Sequence, residues 1–165
     1  MTAHDHANCI DRALAEAERI CSQRGARLTP LRRQVLEEIW RNHEAVKAYD
    51  LIHRLSGSEH TTKPPTVYRA LDFLLEHGLI HRIESLNAYV GCDHPEAHHD
   101  PVLFLCERCG DVREARHAGL IAILDEMAAT QGFTIAHRTL ELRGRCTRCQ
   151  SPDDKDHARP PADLP

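Results

Sequence analysis

Two cysteine pairs, Cys106-Glu-Arg-Cys109 and Cys146-Thr-Arg-Cys149, carry the strongest chemical signal in the chain. Each pair has the spacing at which one knuckle offers two thiolates to a tetrahedral Zn2+. A redox CxxC opens a helix after a strand. Here Cys109 is followed by Gly110 and a β-prone segment, so the expectation is a closed structural zinc site that contributes to folding and leaves no open position for chemistry. The 36 residues between the pairs exceed the roughly 15–20 of a zinc ribbon, which requires an αβ segment between the knuckles. Further donors, His81, Cys92, His94, His98, His99, Glu114 and His117, gather around the middle of the chain, and spacing alone does not define a site among them. Among them Cys92 stands out, because a soft thiolate with imidazole suits Zn2+ over Fe2+ or Mn2+.

The 165 residues include 21 basic and 25 acidic side chains, a net charge of −4, which excludes a uniformly basic coat for nucleic acid. Residues 1–86 hold 12 of each sign, and the deficit lies in the remaining 9 basic and 13 acidic residues. Five of the 7 cysteines also lie in that second half. Apolar runs such as Val102 to Cys106 fall far short of the roughly 20 residues of a membrane helix, and the N-terminus has no apolar signal-peptide core. A cytoplasmic location is expected, where thiols stay reduced and metal ligation is their default use. No HExxH helix or catalytic base beside an open zinc is evident, so no enzymatic activity is expected.

The elements that must position these residues can be read from periodicity and breakers. Ile10, Leu14, Ala17 and Cys21 make the stripe of a first helix ending near Gly25, with Cys21 facing a core. Thr29-Pro30 begins a second helix with Val35, Leu36, Ile39 and Trp40 inward, and a short third helix fits Ala48 to Leu55. Pro64 and Pro65 precede a fourth helix, carrying Val67, Ala70, Leu71 and Leu74, which Gly78 ends. Leu79 to Glu84 and Ala88 to Cys92 then form a hairpin. Helices followed by a two-stranded hairpin are the layout of a winged helix-turn-helix. In the second half, Val112 to Ala115 reads as a strand, Leu120, Ile121, Leu124, Met127 and Ala128 as a helix stripe ended by Gly132, and Phe133, Ile135, His137 and Thr139 as the start of a returning strand. The fold class is α+β, with domains at 1–92 and 93–150 and a disordered tail at 151–165.

Charge patterning supports DNA as the partner of the first half. Arg19 to Leu36 holds five arginines (Arg19, Arg24, Arg27, Arg32 and Arg33) and no acid, and a second acid-free window runs from His60 to Leu71. Both surround helix N-termini, which themselves favour phosphate. In a helix-turn-helix docking the fourth helix enters the major groove, nominating Thr66, Tyr68 and Arg69, with Arg69 suited to a guanine edge. Tyr49 is a further phosphate contact or, equally, a core residue with its hydroxyl in solvent.

The stretch Arg27-Leu-Thr-Pro-Leu-Arg32, the block KPPTVYRALDFL from Lys63 to Leu74, the segment HRIES from His81 to Ser85 and the two CxxC pairs together resemble the ferric uptake regulator family, and most closely its zinc-sensing branch. The resemblance runs from about Ala13 to Cys149. It implies a homodimeric, zinc-dependent repressor of zinc-uptake genes that binds operator DNA, with an N-terminal winged helix and a C-terminal αβ dimerisation domain. It places structural zinc on Cys106, Cys109, Cys146 and Cys149, regulatory zinc on His81, Cys92, His99 and Glu114, and DNA contacts on Tyr49 and Arg69, joined by Arg27, Lys63, Tyr68 and Thr66. His94, His98 and His99 compete for one regulatory position, and His99 is chosen because it lies seven residues before Cys106. Whether His98, Asp100 and His137 form a further site is left open. Iron, manganese or peroxide sensing on the same scaffold is the nearest alternative, and zinc buffering by the His and Cys cluster is the alternative from another class.

Overall fold

The computed structural model describes residues 6–41, 44–56, 63–96 and 100–150, and the chain divides into two compact units, Met1–His98 and His99–Pro165. His98, His99 and the tail from 151 lie outside the described residues. No helix among the described residues is long and apolar enough to cross a membrane.

The first unit contains α1 (His6–Gln23), α2 (Pro30–Trp40), α3 (Ala48–Leu55) and α4 (Pro64–Glu76) with strands β1 (Val46–Lys47), β2 (Ile80–Ile83) and β3 (Ala88–Gly91). The expected helices and hairpin are all present. Their apolar stripes meet in one core: Leu14, Ala17 and Cys21 of α1, Val35, Leu36, Ile39 and Trp40 of α2, Leu51 of α3, and Val67, Leu71 and Leu74 of α4. Pro64 and Pro65 occupy the first turn of α4 rather than preceding it, where their missing N–H groups would have no helical partner anyway. β1, which the sequence reading omits, makes the wing a three-stranded antiparallel sheet in the order β1-β3-β2.

Two glycines fix the approach to the hairpin. Gly78 takes φ +67 after α4, while the Leu79 N–H donates to the Leu74 carbonyl at 2.9 Å, so the chain turns directly from the helix into β2. At Gly91 the reason is space: a Cβ there would lie 2.3 Å from Cε2 of Trp40, a rigid and buried ring. Gly91→Ala must therefore displace the indole or the strand, and is expected to lower the stability of the first unit by about 1–3 kcal/mol. Urea unfolding followed by the fluorescence of Trp40, the one tryptophan, measures this directly; an unchanged midpoint would refute the steric account.

The second unit contains β4 (Val102–Cys106), β5 (Val112–Ala115), α5 (Ala118–Thr130), β6 (Leu140–Gly144) and the short α6 (Thr147–Gln150). Its sheet has the order β5-β4-β6, with β4 antiparallel to β5 and parallel to β6. The run Val102 to Cys106 is thus the central strand, covered on both faces except at Phe104, as a continuous apolar run permits. The returning strand starts at Leu140, not at Phe133. The ladder begins where Val102 meets Leu140, so residues 133–139 precede any partner strand, and Phe133 is exposed.

Candidate functional site

The parallel pairing of β4 with β6 sets Cys106 opposite Gly144, which delivers Cys146 two residues later beside the first knuckle. The first knuckle is closed by the Gly110 N–H on the Cys106 carbonyl and the Cys106 N–H on the Asp111 carbonyl, both at 2.9 Å. The second is the first turn of α6, with the Cys149 N–H on the Cys146 carbonyl at 2.9 Å. Cys106, Cys109, Cys146 and Cys149 bring their sulfurs within 4.8 Å of one another, and those of Cys109 and Cys146 are 3.7 Å apart. A tetrahedron with Zn–S bonds of about 2.3 Å has edges of about 3.8 Å, so the Cys109–Cys146 separation matches an edge and the four sulfurs are close enough to share one zinc.

The same proximity separates the thiols electrostatically. Burial raises the pKa of Cys106, but backbone hydrogen bonds from Cys146, Cys109 and Arg108 outweigh it and lower this thiol to about 6. Burial, reinforced by the three neighbouring sulfurs, pushes Cys149 up to about 12, and burial also raises Cys109. One thiol ionises readily while others are held protonated, and a divalent soft cation is the partner that lets all four ionise. Arg148, 3.6 Å from Asp111, and Arg108, whose guanidinium donates to the Cys149 carbonyl at 3.3 Å, put positive charge beside that concentration of thiolate.

The other expected metal ligands fall in different places. His81 on β2 lies opposite Val90 of β3, and Cys92 follows β3 with its N–H on the Leu79 carbonyl at 3.1 Å. The hairpin thereby sets the His81 and Cys92 ligand atoms within 4.8 Å of each other, with Cys92 only 2% exposed. In the second unit Glu114 stands on β5 opposite Leu103, half-buried. His99 falls outside the described residues. His117 has a structural partner: its ring accepts from the Leu120 N–H at 3.1 Å and caps α5. Asp100 accepts from Arg138 at 2.6 Å, and Arg138 also pairs with Asp125, so an internal cation already engages that carboxylate.

On the first unit, Thr66, Tyr68 and Arg69 are exposed at the start of α4, while Val67 and Ala70 turn inward. Lys63, at the N-cap position, and Arg27 are exposed as well. Tyr49 is 66% exposed on α3, which excludes the core-packing alternative, and its hydroxyl lies 2.8 Å from Nε2 of His53, a residue not among the expected contacts. Its only sequence signal is the i, i+4 spacing to Tyr49. The arginine-rich window is largely engaged within the unit. Arg19 pairs with Glu16 and Arg33 with Glu18, Arg24 donates to the His77 carbonyl at 2.9 Å, and Arg32 stacks 3.4 Å over the Phe73 ring while donating to the Arg27 carbonyl. Much of that positive charge thus braces α1, α2 and α4 instead of forming a continuous basic face.

The sequence pattern of the ferric uptake regulator family matches residues 23–143. The chain is 47% identical over 139 residues to the zinc uptake regulation protein of Escherichia coli strain K12, covering 82% of this chain and 80% of that protein. It is 28% identical over 146 residues to the peroxide operon regulator of Bacillus subtilis, covering 86% and 96%. Among solved structures, a zinc uptake regulator complexed with zinc and DNA superposes with a TM-score of 0.81 at 44% identity, covering 86% of this chain and 95% of that one. A family match that runs through most of the chain and into both units, together with 47% identity to a zinc uptake regulation protein, places this chain in the ferric uptake regulator family.

Proposed function

We propose that the chain is a zinc-responsive transcriptional repressor that binds operator DNA as a zinc-loaded homodimer and represses zinc-uptake genes. The observation that carries zinc over iron or manganese is the buried Cys92 thiol beside the His81 imidazole on the wing hairpin, a soft pair. The greater identity to a zinc uptake regulator than to a peroxide regulator points the same way.

Two zinc sites per subunit have separate roles in this reading. Cys106, Cys109, Cys146 and Cys149 hold the structural ion and leave it no open position. His81 and Cys92 of the first unit, with His99 and Glu114 of the second, hold the regulatory ion. Zinc held there would be bound by side chains contributed by both units. The four side chains then restrict the winged heads to the spacing of successive major grooves, about 34–36 Å for half-sites one turn apart. Arg69, Tyr68 and Thr66 read the groove from α4, and Tyr49, Lys63 and Arg27 hold the flanking backbone. A second copy covers the apolar surface of the second unit: Phe104 and Leu142 are register partners on the sheet and both exposed, and Ile123 and Met127 stand one turn apart on α5, which has no buried residue.

The test is DNA binding to the promoter of a zinc-transporter gene, titrated with buffered Zn2+, Fe2+ and Mn2+ at one fixed salt concentration. Tight binding with zinc alone is expected. A response to iron or manganese instead would assign a sibling function, and binding indifferent to every metal would leave the His and Cys cluster to zinc storage.

A further inference from the structure

Tyr49 and His53 stand one turn apart on the exposed side of α3, whose other side buries Ala48 and Leu51. The Tyr49 hydroxyl is 2.8 Å from Nε2 of His53, and the two rings meet edge to face with centroids 4.7 Å apart and planes at 67°. An exposed tyrosine ordinarily samples several rotamers; here one neighbour holds it both through the ring and through the hydroxyl.

We propose that His53 is a positioning residue for DNA binding, which orients the Tyr49 hydroxyl so that its proton points at a phosphate oxygen of the operator. The inference rests on the reading of Tyr49 as a DNA contact. A phosphate oxygen only accepts, so the tyrosine O–H must donate outward, and the tyrosine oxygen must then accept from its neighbour. His53 meets that demand with the proton on Nε2 and Nδ1 left as an acceptor. The resulting chain, imidazole N–H to phenol oxygen and phenol O–H to phosphate, strengthens each bond in turn. It also removes rotamer freedom from Tyr49 before DNA arrives, a cost that an unsupported tyrosine meets on binding.

A double-mutant cycle on operator affinity tests this. The probe is a duplex selected from a random-sequence pool by the zinc-loaded wild-type protein, with affinities measured at buffered zinc and mildly alkaline pH, where imidazole is neutral. Tyr49→Phe and His53→Ala are each expected to weaken binding about three- to tenfold, the range of a single hydrogen bond. The double variant is expected to lose no more than the weaker single variant, and His53→Gln, which can still donate to the hydroxyl, to retain most of the affinity. The slope of log affinity against log salt should stay unchanged throughout, because no phosphate-neutralising charge is removed. Additive losses in the two single variants would make His53 a contact independent of Tyr49 and overturn the proposal. Wild-type affinity for His53→Ala would overturn it too. Wild-type affinity for Tyr49→Phe would instead remove Tyr49 from the DNA interface, a failure of the underlying reading that the His53 variants alone would not produce.

Discussion

Cys106→Ser is expected to abolish the folded second unit and, with it, the dimer. Among the described residues of that unit only Val102, Leu103, Leu105, Cys106 and Cys149 are buried, and two of these five are zinc ligands in our reading. An apolar core of this size does not offset the chain entropy of about 50 residues, at roughly 1–2 kcal/mol for each backbone. Binding of structural zinc in small domains contributes about 10–16 kcal/mol, comparable with the whole stability of an ordinary domain. Serine keeps the size but does not ionise, so the sulfur that the backbone N–H groups of Cys146, Cys109 and Arg108 hold most acidic is the one removed. The expected result is a protein with less than one tightly held zinc per subunit, sedimenting as monomer or aggregate, with the first unit still giving helical circular dichroism. Wild-type protein treated with a strong chelator should reach the same state. A zinc-replete, stable Cys106→Ser dimer would show that the four cysteines do not hold the unit together.

What could be read from the sequence was whatever depends on neighbours along the chain. Gly78, the Thr29-Pro30 step and the apolar stripes of α1 to α4 are local signals, and the helices start and stop within a few residues of where those signals put them. The two CxxC knuckles are local too, and the need for an αβ segment between them followed from their separation. The errors share a different origin. β1 is two residues long and exists only because Val46 and Lys47 meet Tyr89 and Ala88. The onset of β6 is set by where β4 begins, not by the alternation at Phe133 to Thr139. Two arginines of the basic window have partners distant along the chain, Glu18 at 15 residues from Arg33 and His77 at 53 from Arg24, and Arg19 pairs with Glu16 just outside the window. Charge counted along a sequence cannot separate a binding face from a set of internal braces. In the candidate metal centre, spacing alone left Cys92 among seven donors, and it was the hairpin register that set it beside His81.

Cys92→Ser should separate regulation from folding. The residue is almost fully buried, but its backbone N–H holds the hairpin to Leu79 whatever the side chain, and the large core of the first unit, built mostly by α1 to α4, does not include it. A buried hydroxyl in place of the thiol costs about 1–3 kcal/mol, which a core of that size absorbs without unfolding. The effect on zinc is much larger, since a hydroxyl that stays protonated is a poor ligand for a borderline-soft ion. Allosteric coupling between ligand and DNA is about 5–150-fold per site, and two sites per dimer compound it. The variant should therefore remain a dimer, keep its structural zinc, lose the second equivalent and bind the operator no better with zinc than without. Because linkage is reciprocal, wild-type protein should also hold its weaker zinc more tightly when operator DNA is added, and Cys92→Ser should show no such gain. His81→Ala should reproduce the pattern from the other strand of the hairpin. Undiminished zinc-dependent operator binding by Cys92→Ser would place the regulatory ion elsewhere, and a monomeric or unfolded variant would mean that Cys92 serves structure rather than sensing.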